Sequence, residues 1–245
     1  MIDMSSLYEH KDYQEALNNF NISNCKWNSF VDIHLKIANN RCPICEYSFE
    51  DVEIKRTNKN DENLLIATID HYRPQKYYPF LKCEHKNYLL MCFECNSSYK
   101  KSKFPIYNST IRATHQDRLE EEQVLITNPI NDDIYELFIL VFKQSDKILE
   151  LKPKVSSGYL RDKAIETIKV FGLGNCEEYR HKNDDIHHCR IRILKRYFTV
   201  FYKFAKALND RNRIQANLEF KNNQEMFKSY GFFEFLKRQQ FEILV

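Results

Sequence analysis

Two Cys-x-x-Cys pairs, Cys42/Cys45 and Cys92/Cys95, are separated by 46 residues. A two-residue gap lets both thiolates of a pair reach one ion from a tight turn, and two such pairs complete the closed tetrahedron of a structural zinc site. The other four cysteines, Cys25, Cys83, Cys176 and Cys189, are isolated in the sequence, so general burial of thiols does not account for the pairing. One structural Zn²⁺ per chain is therefore expected. Four thiolates leave no open position for water or substrate, so any catalysis must involve the residues around the cysteines.

Those residues are Ile69-Asp70-His71-Tyr72-Arg73-Pro74, then Asn87 five positions before Cys92, then Asn96 directly after Cys95. Cleaving a phosphodiester needs a water stripped of a proton near neutral pH, and a neutral imidazole at His71 suits that task. It also needs positive charge beside the phosphate, which Mg²⁺ or Mn²⁺ supplies. Hard cations prefer oxygen, and Asp70 with the amide oxygen of Asn96 offers two ligands while leaving room for water and phosphate. Asn87 is expected to hydrogen-bond backbone and hold the His71 ring in register. Arg73, Lys100, Lys101 and Lys103 flank this group and are expected to hold nucleic-acid phosphates. Adjacent residues of a regular strand face opposite ways, so Asp70 and His71 can address one site only where the strand ends or bulges.

The elements that must position them follow from apolar spacing. Residues 5–39 read as two helices broken around Asn21 to Lys26. Residues 55–63 read as a polar loop, 64–72 as a buried strand ending at Asp70 or His71, and 87–91 as a second short strand. Residues 92–101 read as a zinc knuckle turning into a helix. Beyond a turn at Asn128-Pro129, Leu137 to Lys143 suggests a short strand or helix pair. From Tyr159 the chain reads as helices almost to the end, with breaks at Gly172, Gly174, 209–212 and Gly231. The fold class is thus α+β and mostly helical: N-terminal helices over 1–40, a strand-strand-helix core with a Cys₄ zinc over 41–115, and a mainly helical C-terminal region over 116–245.

Composition agrees with this frame. Among 245 residues there are only 4 Gly and 6 Pro, which argues against a turn-rich β-sandwich. No window reaches 18 uninterrupted apolar residues and no signal peptide is evident, so a cytoplasmic protein with reduced thiols and no membrane contact is expected. The net charge of +3 is uneven: residues 70–103 carry seven Lys/Arg against three Asp/Glu, whereas 119–151 carry two against eight. Basic segments beside an acidic one suit a protein that meets phosphate along part of its surface. His187-His188-Cys189 has no metal-ligand spacing, and His10, His34, His85, His115 and His181 read as surface or satisfied residues. Phe198, Phe201 and Phe204 recur at core spacing in a basic, aromatic helix.

The arrangement of Asp70-His71, Asn87 and Asn96 resembles the ββα-metal motif of the HNH endonucleases, with Asn96 where the name-giving pattern has His. Cys-Pro-Ile-Cys-Glu, Asp-His-Tyr-Arg-Pro and the run from Asn87 to Pro105 resemble one branch, the nuclease component (PtuB-type) of Septu and certain retron anti-phage systems. Looser likeness extends through Thr127-Asn128-Pro129, Asp132-Asp133, Gly172 to Asn175 and Arg180. The resemblance implies a nuclease cutting DNA ahead of RNA beside a separate ATPase subunit, and no Gly-x-x-x-x-Gly-Lys-Ser/Thr phosphate loop occurs here. The competing reading is a non-catalytic zinc-containing subunit that binds nucleic acid or protein. On sequence alone, Cys45→Ser should release zinc, while Asp70→Ala should leave folding nearly intact.

Overall fold

Tyr88-Leu89-Leu90-Met91-Cys92 is buried at every position, because this strand is covered on both faces. It pairs antiparallel with Ala67–His71 (β1 67–71, β2 88–92), and the register sets His71 opposite Tyr88, Asp70 opposite Leu89 and Ala67 opposite Cys92. The computed structural model describes residues 1–25, 27–50, 67–107, 112–173 and 187–244, with side chains of the last stretch from Phe198 onward. The expected loop at 55–63, the start of the first strand at 64–66, and Gly174, Asn175 and Arg180 lie outside these residues.

The chain divides into two compact units, Met1–Asp132 and Asp133–Val245. In the first, two helices, Lys11–Asn18 (α1) and Val31–Ile37 (α2), are joined through a 3₁₀ turn at Trp27–Phe30. His10 caps α1, its Nδ1 accepting from the Asp12 N–H at 3.2 Å. A π-helix, Glu94–Lys100, follows β2 directly and is closed by the Lys101 N–H donating to the Asn96 carbonyl at 2.7 Å. Single-turn π-helices concentrate where side chains must be set at a particular angle, and this one carries Asn96 and Lys100.

Cys25 and Cys83, isolated in sequence, meet here as a disulfide with Cα atoms 4.8 Å apart. This corrects the expectation of reduced, scattered thiols: only the fold brings two positions 58 residues apart together. Cys176 and Cys189 have no described side chain.

His34 on α2 is also not as expected. It is fully buried and neither ring nitrogen has a partner among the described residues, and burial pushes its pKa down to about 4. The unfolded value is about 6.5, so above that pH both states are neutral and the group contributes no pH dependence. As pH falls below 6.5 the unfolded chain takes up the proton and the folded one does not. Stability then drops by about 1.4 kcal/mol per unit until the folded pKa is reached. His34→Leu should remove this loss: between pH 7 and 4.5 the wild type should lose about 2–3 kcal/mol more than the variant in urea melts. Parallel pH profiles would contradict the assignment.

The second unit joins its helices to a three-stranded sheet whose middle strand is the first of the three in the chain. Phe138–Lys143 (β3) and Ile148–Pro153 (β4) form a hairpin, and Phe241–Leu244 (β5) pairs parallel to β3, with Leu140 beside Phe241. The run Phe-Ile-Leu-Val-Phe has no alternation because its strand is central and buried on both faces. A helix at Gly158–Phe171 ends on Gly172, whose φ of 61° is the left-handed conformation that glycine adopts without a Cβ clash. Phe198, Phe201 and Phe204 of the helix His187–Asn209 are buried, and Phe201 and Phe204 pack on Phe227, while Lys203 and Lys206 face solvent. Core packing thus accounts for these aromatics. Among the described residues, no helix is long and apolar enough to cross a membrane.

Candidate functional site

The paired cysteines converge as their spacing requires. The four Sγ atoms lie within 4.8 Å of one another, with Cys42 to Cys95 and Cys45 to Cys92 both 3.7 Å. A tetrahedral ion with Zn–S bonds of about 2.3 Å needs sulfurs about 3.8 Å apart, so the cluster has the dimensions of a zinc site. The first knuckle is a tight turn: Cys42 N–H donates to Tyr47 O and Glu46 N–H to Cys42 O, both at 2.8 Å, with Glu46 at φ 61°. Backbone amides add N–H···S bonds, Cys92 N–H to Cys42 Sγ at 3.3 Å and Cys95 N–H to Cys92 Sγ at 3.4 Å.

Burial raises the Cys42 thiol, yet hydrogen bonds from Cys45, Cys92 and Cys95 outweigh it and hold the group well below its ordinary range. Hydrogen bonding with Cys42 and Cys45 pushes Cys92 well above it. Crowded thiols of this kind share negative charge, and a bound dication relieves the crowding. Among the described residues this is the group of three or more His, Cys, Asp or Glu side chains close enough to share an ion.

The knuckle runs straight into the π-helix, and the face of that helix toward β1 makes two rungs. Asn96 Nδ2 donates to Thr68 Oγ1 at 3.1 Å, and Thr68 Oγ1 donates to Met91 O at 2.9 Å. One turn on, Lys100 Nζ reaches Asp70 Oδ2 at 2.6 Å and the His71 carbonyl at 2.9 Å. Thr68 and Asp70 are two apart on the strand and so share a face. Asn96 and Lys100 are four apart on the helix and likewise share one. The structure therefore sets Asp70 and Asn96 on the same side of the contact between β1 and the π-helix, with the Asn96 amide nitrogen engaged by Thr68.

Burial raises the Asp70 pKa against the opposing pull of Lys100, and burial lowers that of Lys100 against Asp70. The pair is internal: Lys100 has 0% and Asp70 15% of its side chain exposed.

His71 is the last residue of β1, and its ring meets Tyr88 edge-on, centroids 5.3 Å apart. Its Nε2 lies 2.9 Å from the Lys82 carbonyl. A carbonyl only accepts, so Nε2 carries the proton and Nδ1 presents a lone pair. Gln75, which the sequence did not mark, places its amide nitrogen between the two ring nitrogens, 3.1 Å from Nδ1 and 3.0 Å from Nε2. Strand alternation persists to the end of β1, so the bulge expected to turn both residues toward one site does not occur: Asp70 faces the π-helix, and His71 faces Tyr88 and the following loop.

Asn87 is 5% exposed and brackets that loop. Its Oδ1 accepts from Arg73 N–H at 2.7 Å, its Nδ2 donates to Arg73 O at 3.1 Å, and its own carbonyl accepts from Tyr72 N–H at 2.7 Å. Three bonds from one residue tie the end of β1 to the start of β2, which also holds Lys82 under the His71 ring. No signal in the sequence pointed to Thr68, Gln75 or the Lys82 carbonyl, because each acts through a contact that only the folded chain sets: Thr68 with Asn96, and Gln75 and the Lys82 carbonyl with His71.

The four flanking cations separate into two kinds. Lys101 and Lys103 are exposed. Arg73 and Lys100, expected to hold phosphates, are instead internal and ion-paired within the chain. Lys100 faces β1, and the bracketed loop turns Arg73 inward onto Glu122, to which it is ion-paired, and onto Leu119 O at 3.2 Å. Glu122 also accepts from Tyr78 Oη at 3.0 Å and Ala113 N–H at 2.6 Å. Cavities of about 610 and 430 Å³ are lined by other residues, Asn209, Arg213 and Phe241 in the first and Ile106, Arg112 and Gln123 in the second among them.

No family model matches the chain, and no solved structure matches it. One curated protein does: the Septu protein PtuB of Bacillus mycoides (strain KBAB4) is 33% identical over 146 residues, covering 55% of this chain. The chain spans 48% of that protein's length. The likeness agrees with the branch indicated by the cysteine knuckles and by Asp70-His71. Over that stretch the chain is similar to the Septu protein PtuB.

Proposed function

We propose that this chain is an HNH-type, metal-dependent endonuclease that hydrolyses phosphodiester bonds in nucleic acid, DNA ahead of RNA, as the effector of an anti-phage defence complex with a separate ATPase subunit. The observation that carries this reading is the order strand, bracketed loop, strand, knuckle and helix. It sets Asp70 and His71 at one strand end, Asn87 across the loop, and Asn96 beside the four-cysteine cluster.

In this reading His71 is the general base. The Lys82 carbonyl holds the Nε2 proton, so Nδ1 is the atom that takes a proton from water. The Gln75 amide must move from Nδ1 for that to happen, and Gln75 is exposed and able to do so. Asp70 and the Asn96 amide oxygen would hold Mg²⁺ or Mn²⁺, which when bound supplies positive charge at the phosphate and the leaving oxygen. Asn87 positions His71 through the loop, and Lys101 and Lys103 contact phosphate. The Cys₄ zinc stays structural, pinning the start of the helix that carries Asn96.

The competing reading, a zinc-containing subunit that binds without cutting, draws on two observations: Asp70 already has an internal partner in Lys100, and strand alternation turns Asp70 and His71 to opposite faces. The two separate in a cleavage assay. Duplex DNA, single-stranded DNA and RNA are incubated with the full chain, with and without the ATPase subunit, in Mg²⁺ or in EDTA. Mg²⁺-dependent cleavage lost in EDTA is expected. Binding with no cleavage of any of the three, by zinc-loaded protein with its partner present, would favour the non-catalytic subunit.

A further inference from the structure

Lys100 is the one residue of this site whose chemistry the reading above leaves unused. Its side chain is wholly buried, which is rare for lysine and costs stability unless the charge is paired. The single ammonium joins two neighbours: it donates to the Asp70 carboxylate at 2.6 Å and to the His71 backbone carbonyl at 2.9 Å. It reaches both from the last residue of the helix that bears Asn96. One oxygen of Asp70 is thereby turned inward. The charge sum over Asp70, Lys100 and Asn96 is zero, where a hard cation would ordinarily gain from a carboxylate's full negative charge.

Resting on the assignment of Asp70 and Asn96 as cation ligands, we propose that Lys100 is a positioning residue. Its ammonium, bridging Asp70 and the end of β1, fixes the orientation of the carboxylate and cancels its charge. The site alone then holds a divalent cation only weakly. The missing negative charge must come from an anionic oxygen brought by the substrate, which would couple occupancy of the ion to the presence of a phosphodiester. A lysine that served only to support the fold would act otherwise: removing it would lower the melting temperature and loosen the ion site. Removing a positioning, charge-cancelling lysine does the opposite to the ion, because an ion on the same carboxylate no longer meets a like charge at short range.

The test is a Mn²⁺ titration of the full zinc-loaded chain, without nucleic acid, read by the electron paramagnetic resonance of free Mn²⁺. Wild type should bind with a dissociation constant on the order of 10⁻³ M. Lys100→Gln, which keeps a donor but no charge, and Lys100→Met, which keeps apolar bulk, should each bind at least about tenfold tighter. Adding Asp70→Asn to Lys100→Gln should abolish that gain. Equal or weaker binding by a variant that still melts cooperatively would overturn the proposal. So would a wild-type dissociation constant below about 10⁻⁵ M, a measurement that does not depend on either variant folding. The outcome is separate from the nuclease reading. Cleavage with no shift in Mn²⁺ affinity sinks only the role of Lys100, whereas a shift in a chain that cuts nothing keeps that role and sinks the nuclease.

Discussion

Cys45→Ser protein should come off the column without zinc and melt about 10 °C or more below wild type. A structural zinc contributes on the order of 10 kcal/mol to the folding of a small metal domain, and losing one thiolate of four forfeits several of these. Each kcal/mol moves the midpoint of a chain this size by about 2–4 °C. The effect should concentrate in the first unit, where Cys42 and Cys45 secure one turn while Cys92 and Cys95 close the end of β2 and open the π-helix. Zinc content by atomic absorption and a thermal melt followed by circular dichroism provide the check. One zinc per chain with an unchanged melt would dispose of the Cys₄ site.

Asp70→Ala no longer serves as the neutral companion to that experiment. Deleting Asp70 leaves the Lys100 ammonium unpaired at 0% exposure, and breaking a buried pair from one side costs about 3–5 kcal/mol. A fall in stability in Asp70→Ala is therefore expected without any loss of zinc, and it separates the two sites by metal content rather than by melting alone.

His71→Ala should lose about 10³-fold or more of the cleavage rate while keeping zinc content and melting temperature near wild type. General-base catalysis contributes roughly 10²–10⁴-fold. The ring makes few interactions that the fold requires: an edge contact with Tyr88, one bond to the Lys82 carbonyl, and a contact with exposed Gln75. Single-turnover cleavage at saturating Mg²⁺ is the measurement. Asn87→Ala makes an informative comparison, because it removes the loop bracket at Arg73 while leaving the His71 imidazole in the chain. It should lose activity through misplacement of the ring and lose stability as well, since two backbone groups of Arg73 are left without their partner. Equal rates for wild type and His71→Ala would end the general-base assignment.

Much of the first unit was legible because its signals are local. A Cys-x-x-Cys turn, a β-branched run ending in Asp-His and a short apolar segment before the second knuckle each carry their meaning within a few residues. Their order in the chain already implied strand, strand and helix. The second unit was harder for a physical reason. Residues 138–142 are apolar at every position, so neither a period of two nor of 3.6 emerges. Residues 241–244 become a strand only by pairing with β3 some hundred positions earlier.

The sequence by itself determined which residues could bind metal and which could move a proton, because side-chain chemistry and spacing within a turn are properties of the chain. Only the tertiary structure decided how those residues are used. It paired Cys25 with Cys83, buried His34 with no partner among the described residues, and turned Arg73 and Lys100 inward. It also placed the Lys82 carbonyl under His71 and an ammonium on Asp70. Each of these contacts joins positions distant in sequence or set by the angle of a loop, and such proximities arise from packing, which no local pattern encodes.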